Sequence, residues 1–569
     1  MKCRMMRFSL CLIALTFFSL TLHARGKQGL VNCGSWIYDA MTEIAMEEGR
    51  VDFSDQAPLS IAEIELYLSE ADYDSLSEAG KKNYDRIVDY IAYEPPAFKA
   101  DIFSISVEPE MNVEGFYKTN DDIDWVYDRY CRQPLLTTPL NVQGGDYFTL
   151  SMDVTLREYD GAAILDNNYS NFIYADSKLT PDINFPHTAY GSVGYKFNDN
   201  AGVNLQVGMG PQSVGRSLSG SIIWSEYFTG ASYANLDVFS KNFRYNMNVT
   251  EFNVDKYAYT HRLEVRLFKK LQFSIMESML VNSSLELRFM NPFTMFHGMA
   301  PWRDYGDEDG DLDHSDPESH TCDYLALKLV YVPVKNLRLY GFFAMNQYQT
   351  FYERKNWEND TTPNSMAFQA GAESYIPFKG GNFHFWLEGT YTQPYMYVKE
   401  DPNWSLVRTY SENLGDKAIF YEWVGSPFGP DTVAGELNMG YEVPGKWDVT
   451  ASYLFKAAGE YSGTKLFTDD LDWGGQDKVA NREKWAYPDS DKEGGQDRAK
   501  KQQGFSTPHG TPEYLNRVAL RASFSPSPLF TISAQPAFVF IFNKDNIDGE
   551  FASGGEFAVS AKINLSRLF

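Results

Sequence analysis

Apolar side chains recur at every second position through most of this chain. Phe148, Leu150, Met152, Val154 and Leu156 alternate with Thr149, Ser151, Asp153 and Thr155. Val203, Leu205, Val207 and Met209 alternate in the same way with Asn204, Gln206 and Gly208. The spacing continues through Leu325, Leu327, Leu329 and Tyr331, resumes at Leu337 and Leu339, and returns at Phe383, Phe385 and Leu387 and from Trp447 to Phe455. It also closes the chain, at 557, 559, 561, 563, 565 and, in the same phase, Phe569. A period of two belongs to β-strands with one apolar and one polar face. Residues 30–94 obey a different rule. Ile37, Met41 and Ile44 lie on one face of a short helix, and Ile61, Ile64 and Leu68 stripe a second whose start carries the capping pair Ser60 and Glu63. Ser75 and Glu78 offer the same pair ahead of a third helix striped by Tyr84, Ile87, Val88 and Ile91, which Pro95-Pro96 stops.

Alternating strands also build soluble sandwiches and propellers. The connections separate the cases. Those at 333–336 and 443–446 are very short, whereas 301–322, 395–432 and 461–512 are long and polar. Short turns on one side and long loops on the other characterise outer-membrane barrels, and a terminal strand ending on an aromatic residue resembles their C-terminal signal. A sheet spans a membrane only when every edge is paired, so this reading constrains the whole chain. The expected fold is an all-β transmembrane barrel of about 16–20 antiparallel strands, about 18 being favoured at some 10 residues per membrane strand, preceded by a small α-helical bundle. The boundaries read as a signal peptide over 1–24, a periplasmic or pore-closing helical bundle over 25–97, and the barrel over 98–569.

The opening residues agree with that address. Lys2, Arg4 and Arg7 precede an apolar run from Phe8 to Leu22, too short for a membrane helix, and Leu22-His23-Ala24 offers a cleavage site. The expected location is the outer membrane of a double-membraned bacterium. Aromatic residues make up 15% of the chain, enough to furnish two interfacial girdles. The formal charge is -26, and losing Lys2, Arg4 and Arg7 brings it to -26 - 3 = -29, which argues against nucleic acid as a partner. The expected partners are outer-membrane lipid, lipopolysaccharide or another surface glycan, and the barrel assembly machinery during insertion, with the chain itself a monomer. After cleavage Cys33, Cys131 and Cys322 remain, an odd number without metal-ligand spacing, so one disulfide among them stays open.

Several short motifs lie between residues 200 and 295. Gly208-Met209-Gly210-Pro211 follows a strand and leads to Arg216; His261-Arg262-Leu263-Glu264 opens an alternating strand; Glu277 follows Phe273-Ser274-Ile275-Met276; and Asn291-Pro292-Phe293 closes the block. In this order, and with the helical head before them, they resemble the Wzi family of capsule assembly proteins. The resemblance implies a surface-exposed barrel, closed by its helical bundle, that helps hold high-molecular-weight polysaccharide at the cell surface. Such a protein is a lectin-like organiser and not an enzyme. Trp404, Tyr421, Trp423, Trp473 and Trp485 lie in the long loops and offer rings for sugars, or equally for packing those loops. The acidic loops would repel a uronic-acid polymer, so the glycan is expected to be neutral or cationic, or bridged by divalent metal.

One loop invites that metal. Asp307, Asp309, Asp311, Asp313 and Glu318 fall at positions 1, 3, 5, 7 and 12 of a twelve-residue frame, so Ca²⁺ in an extracellular loop is the one cofactor considered. Leu312 occupies the position an EF-hand gives to glycine, and a solvated acidic loop is the default. His261 and Glu264 fall on opposite faces of a strand, which spoils them as a catalytic dyad, and they are assigned with Arg262, Arg266, Arg288, Glu277 and Glu286 to a polar network inside the barrel or at its rim. No recognisable nucleophile set, phosphate loop or zinc spacing appears. The competing functions are an outer-membrane porin or carbohydrate channel and, further off, an outer-membrane hydrolase.

Overall fold

The computed structural model describes residues 25–568 apart from 101–102, 125–132, 158–167, 172–179, 183–187, 298–320, 357–361, 400–404, 415 and 461–494. The signal segment expected over 1–24 therefore lies outside the described residues, as do Cys131, Asp307, Asp309, Asp311, Asp313, Glu318, Trp404, Trp473 and Trp485.

Helix α1 (Trp36–Glu48) starts at Ser35, whose side chain accepts the Ile37 N–H, and ends at Gly49 in the left-handed conformation. Helix α2 (Ile61–Leu68) begins with the anticipated Ser60–Glu63 capping box. Helix α3 (Glu78–Ala92) departs from expectation at its start. Its N-cap is Ser77, which accepts from Gly80 N, whereas Ser75 ends a short 3₁₀ turn, Tyr73–Ser75. Glu47 of α1 fixes this choice by accepting both the Ser77 N–H and, at 3.0 Å, its hydroxyl. Val31, Ile37, Met41, Ile44, Ile61, Ile64, Tyr67 and Ile87 form the head's core, while Val88 is left 40% exposed.

The remainder is a closed barrel of 18 antiparallel strands, from Glu110–Lys118 to Phe551–Asn564, and the last pairs with the first in a register that sets Val559 against Gly115. The tight turns, among them 335–336, 379–380 and 444–446, gather at one end, and the long connections fall at the other, which also carries the two-residue turn 254–255. The period of two sorts side chains as expected. On Lys256–Leu267, Arg262, Glu264 and Arg266 point into the lumen and are buried, whereas Leu263 and Leu267 are 40% and 43% exposed on the outer wall. Aromatic residues crowd the outer wall at the short-turn end, where Phe378, Phe383, Tyr441 and Trp447 meet in sequence through tilted and edge-on ring contacts.

The head docks at the short-turn end. Val51 N donates to Lys269 O, Asn336 N to Met46 O, and Lys82 Nζ to Gly380 O. Cys33 and Cys322 carry free thiols.

Candidate functional site: a lumen closed by its own chain

Charged residues facing into the barrel meet charged residues of the head. Arg244 lies between Asp237, at 3.0 Å, and Glu63 of α2. Lys328 joins Asp55 of the head to Glu264 at 2.6 Å and donates to Gln272 Oε1 at 3.1 Å. Arg262 donates to Glu264 at 2.8 Å and to Gln56 of the head. Arg266 grips both oxygens of Glu70 at 2.7 Å. The arginine and lysine side chains in these pairs are at most 1% exposed. Taking such charges from water is costly, and the mutual pairing offsets that cost only while head and wall stay together.

The head's own carboxyls register the same burial. Glu43 accepts from Asn83 at 2.7 Å and from Asn382 of the wall at 2.8 Å. Burial, reinforced by the nearby Glu442, pushes its pKa well above the usual carboxylate range. Burial likewise raises Asp52, against the pull of Thr42 and nearby arginines, and Glu63, where Arg244 opposes the shift without cancelling it.

From the long-loop end the chain folds back into the lumen. Gly208 lies one residue before the end of the strand Ala201–Met209, where an added Cβ would collide with Ala189 O, and Gly215 adopts φ 89°, so both positions favour glycine. Between them Pro211 O accepts from the Cys33 thiol at 3.3 Å, and Ser213–Val214 pairs with Gln56–Ala57 of the head. Arg216 then binds Asp39 of α1 at 2.9 Å and Glu373 of the wall at 2.6 Å, beside Arg338. Burial works against its charge, but Glu373 and Asp39 more than compensate and hold its pKa above the ordinary arginine value. Farther on, Glu388 accepts Leu218 N at 2.8 Å and Ser219 N at 2.9 Å, and Gln369 holds Ile222 N and Gly220 O.

A second inward loop seals this one. Tyr397 donates its hydroxyl to Ile222 O at 2.8 Å, and Ser225 N donates to Val424 O. Ile222, Ile223, Trp224, Phe228, Tyr395 and Tyr397 form one core with the wall residues Tyr324 and Phe342. Tyr421 and Trp423 belong to it and are each 7% exposed. Their rings pack against the chain's own loops, the packing alternative to an exposed sugar platform.

The predicted motif residues thus separate. Gly208, Gly210, Pro211 and Arg216 form the bridge between head and inward loop, and Arg262 and Glu264 belong to the luminal network. His261 and Glu277 do not. They are register partners on the outer wall, where His261 Nε2 meets Glu277 Oε2 at 2.9 Å, so their assignment to the interior or rim is corrected. His261 shares the phase of Leu263, which already marked it as outward-facing. Asn291, Pro292 and Phe293 lie outside the barrel as well, with Pro292 O bonded to Tyr245 OH at 3.0 Å. Among the described residues no three metal-binding side chains converge. Sequence reasoning missed Lys328, Glu373 and Glu388. The available signal was a charge in the polar phase of an alternating strand, as in Leu327-Lys328-Leu329.

No family model and no curated protein matches the sequence. Among solved structures, Wzi of Escherichia coli, a carbohydrate-binding outer-membrane β-barrel involved in group 1 capsule assembly, aligns with a TM-score of 0.55 at 13% identity, covering 94% of this chain and 99% of its own. OprD of Pseudomonas aeruginosa aligns at 0.37 and 11% identity, over 80% and 94% of the two chains. The channel DcaP of Acinetobacter baumannii aligns at 0.35 and 9%, over 82% and 99%. The likeness to Wzi establishes a shared fold, an outer-membrane type of barrel.

Proposed function

We propose that the protein is a non-enzymatic barrel of the outer membrane that attaches or organises surface polysaccharide. The observation that carries this reading is the filled lumen. Helical head, bridge and inward loops meet inside the barrel, joined at Arg216 and Ile222, and occupy space in which a porin keeps its water path. A barrel that gives up transport leaves its long outer loops as its working surface. The similarity to Wzi, itself carbohydrate-binding, supports the same direction. The acidic balance favours a neutral or cationic glycan, or one bridged by divalent cations.

The test is polysaccharide retention on intact cells with and without this protein, with purified barrel titrated against the shed polymer. Loss of retained polymer on deletion, with saturable binding to the purified barrel, is expected. Equal retention in both strains and no binding would overturn the reading.

A further inference from the structure

The outer wall carries a feature that a lipid-facing sheet lacks. Val249, Tyr259, Met279 and Val281 point away from the lumen, yet each is at most 8% exposed. Phe289 and Phe296, on the connection that follows Leu271–Val281, cover them. Phe296 lies flat on the His261 ring, with centroids 4.4 Å apart and planes 25° from parallel. Two of the connection's backbone N–H groups donate to the wall. Glu286 N donates to Tyr259 OH at 2.7 Å, and His297 N donates to Glu277 Oε1 at 2.8 Å. The second carboxylate oxygen of Glu277 binds His261, so one side chain clasps both wall and connection.

The connection reaches far down the wall. Tyr245, which holds Pro292, faces Leu263, and Leu263 faces Ile275. That row is the fourth outward row from the long-loop end, after those of Tyr257, Tyr259 and His261. Three steps of two residues at about 3.3 Å each amount to roughly 20 Å along the strand. The apolar band of such barrels is about 25 Å tall, so the turn at Pro292 sits inside it even after strand tilt is allowed for. Phe293 at this turn, Met295 next to the Phe296 that covers His261, and Leu287 next to the Glu286 bonded to Tyr259 are 94%, 77% and 75% exposed. They continue the bare apolar wall of Leu263, Phe273 and Ile275, which are 37–40% exposed.

We propose that residues 283–297 form an intramembrane strap whose Leu287, Phe293 and Met295 lie among the acyl chains of outer-leaflet lipid, clasped to the wall by Glu277. Lipid is the occupant because the strap's exposed apolar side chains continue the lipid-facing wall, while its exposed Arg288 and His297 are paired with Glu286 and Asp323. The strap also hides the His261–Glu277 pair, which bare hydrocarbon would penalise. This inference rests on the membrane-spanning reading of the barrel and is independent of the glycan.

The photoreactive residue p-benzoylphenylalanine is installed at Phe293, at Leu263 as a wall control and at Val254 as a long-loop-end control, and irradiated in whole cells. The expected result is a lipid adduct at 293 in a yield similar to that at 263, with little at 254. Glu277→Ala should lower the adduct at 293 several-fold and leave that at 263 unchanged, and Glu277→Gln, which keeps an acceptor for His297 N, should restore most of it. A lipid adduct at 263 without one at 293 overturns the strap. A 293–293 crosslink between two copies overturns lipid in favour of self-association. Absence of lipid at 263 overturns the membrane premise beneath both.

Discussion

A single carboxyl shows how closely the head's docking is tied to protonation. Glu43 accepts one amide hydrogen bond from Asn83 of the head and one across the seam from Asn382 of the wall, and burial beside Glu442 raises its pKa. An unfolded glutamate titrates near about 4.3. A raised native pKa means that the docked state binds more protons above that pH. The stabilisation is therefore complete below about pH 4.3 and is lost as pH rises through the native pKa. Glu43→Gln keeps an oxygen for Asn83 and Asn382 and removes the charge. Thermal unfolding in detergent across pH 4–8 should show the variant with the flatter profile and an advantage that grows toward neutrality. Identical profiles would mean that Glu43 is not what couples head docking to pH.

At the level of elements, local rules and long-range contacts divide the outcome. The Ser60–Glu63 box forms as written because both partners lie within one turn. The Ser75–Glu78 box does not, since Glu47, some thirty residues away, captures Ser77 instead. Ser77→Ala should accordingly cost about 1 kcal/mol of head stability, the ordinary value of a lost N-cap, and Ser75→Ala much less. Hydrogen exchange along α3 checks this, and the reverse order would restore Ser75 as the cap. The same division explains what was legible in the chain. Strands, turns and the facing of Leu263 against Glu264 follow from a period of two, which is local. The inward course of 211–231, the burial of Tyr421 and Trp423, and the strap over His261 depend on partners a hundred or more residues distant or on the wall's outer face, and no local pattern encodes them. His261 was readable in part. Its phase placed it outside, but only the observed packing of Phe296 explains how a polar side chain is tolerated there.

For the whole molecule, closure from two ends makes a graded prediction about conductance. The head presents Glu63, Asp55 and Glu70 to Arg244, Lys328 and Arg266, so deleting it takes one carboxylate partner from each of these cations and perturbs the wall along with the pore. Replacing 395–428 by a short turn is gentler, because that loop meets the bridge through apolar contacts and hydrogen bonds such as Tyr397 to Ile222, Ser225 to Val424 and Thr229 to Glu422, with no buried cation left behind on the bridge. The head and the bridge, held by Arg216 to Asp39 and Glu373, still cross the lumen in that variant. In planar bilayers the intact barrel should therefore pass no steady current, and the loop-shortened barrel should pass none or only brief openings. Adding Arg216→Ala to the shortened loop frees the bridge from its ion pairs to head and wall while the other head–wall pairs remain, and openings should then become longer and more frequent. A steady current through the intact protein would reverse the order of the argument, since the same wall would then be a channel and its inward loops a selectivity device.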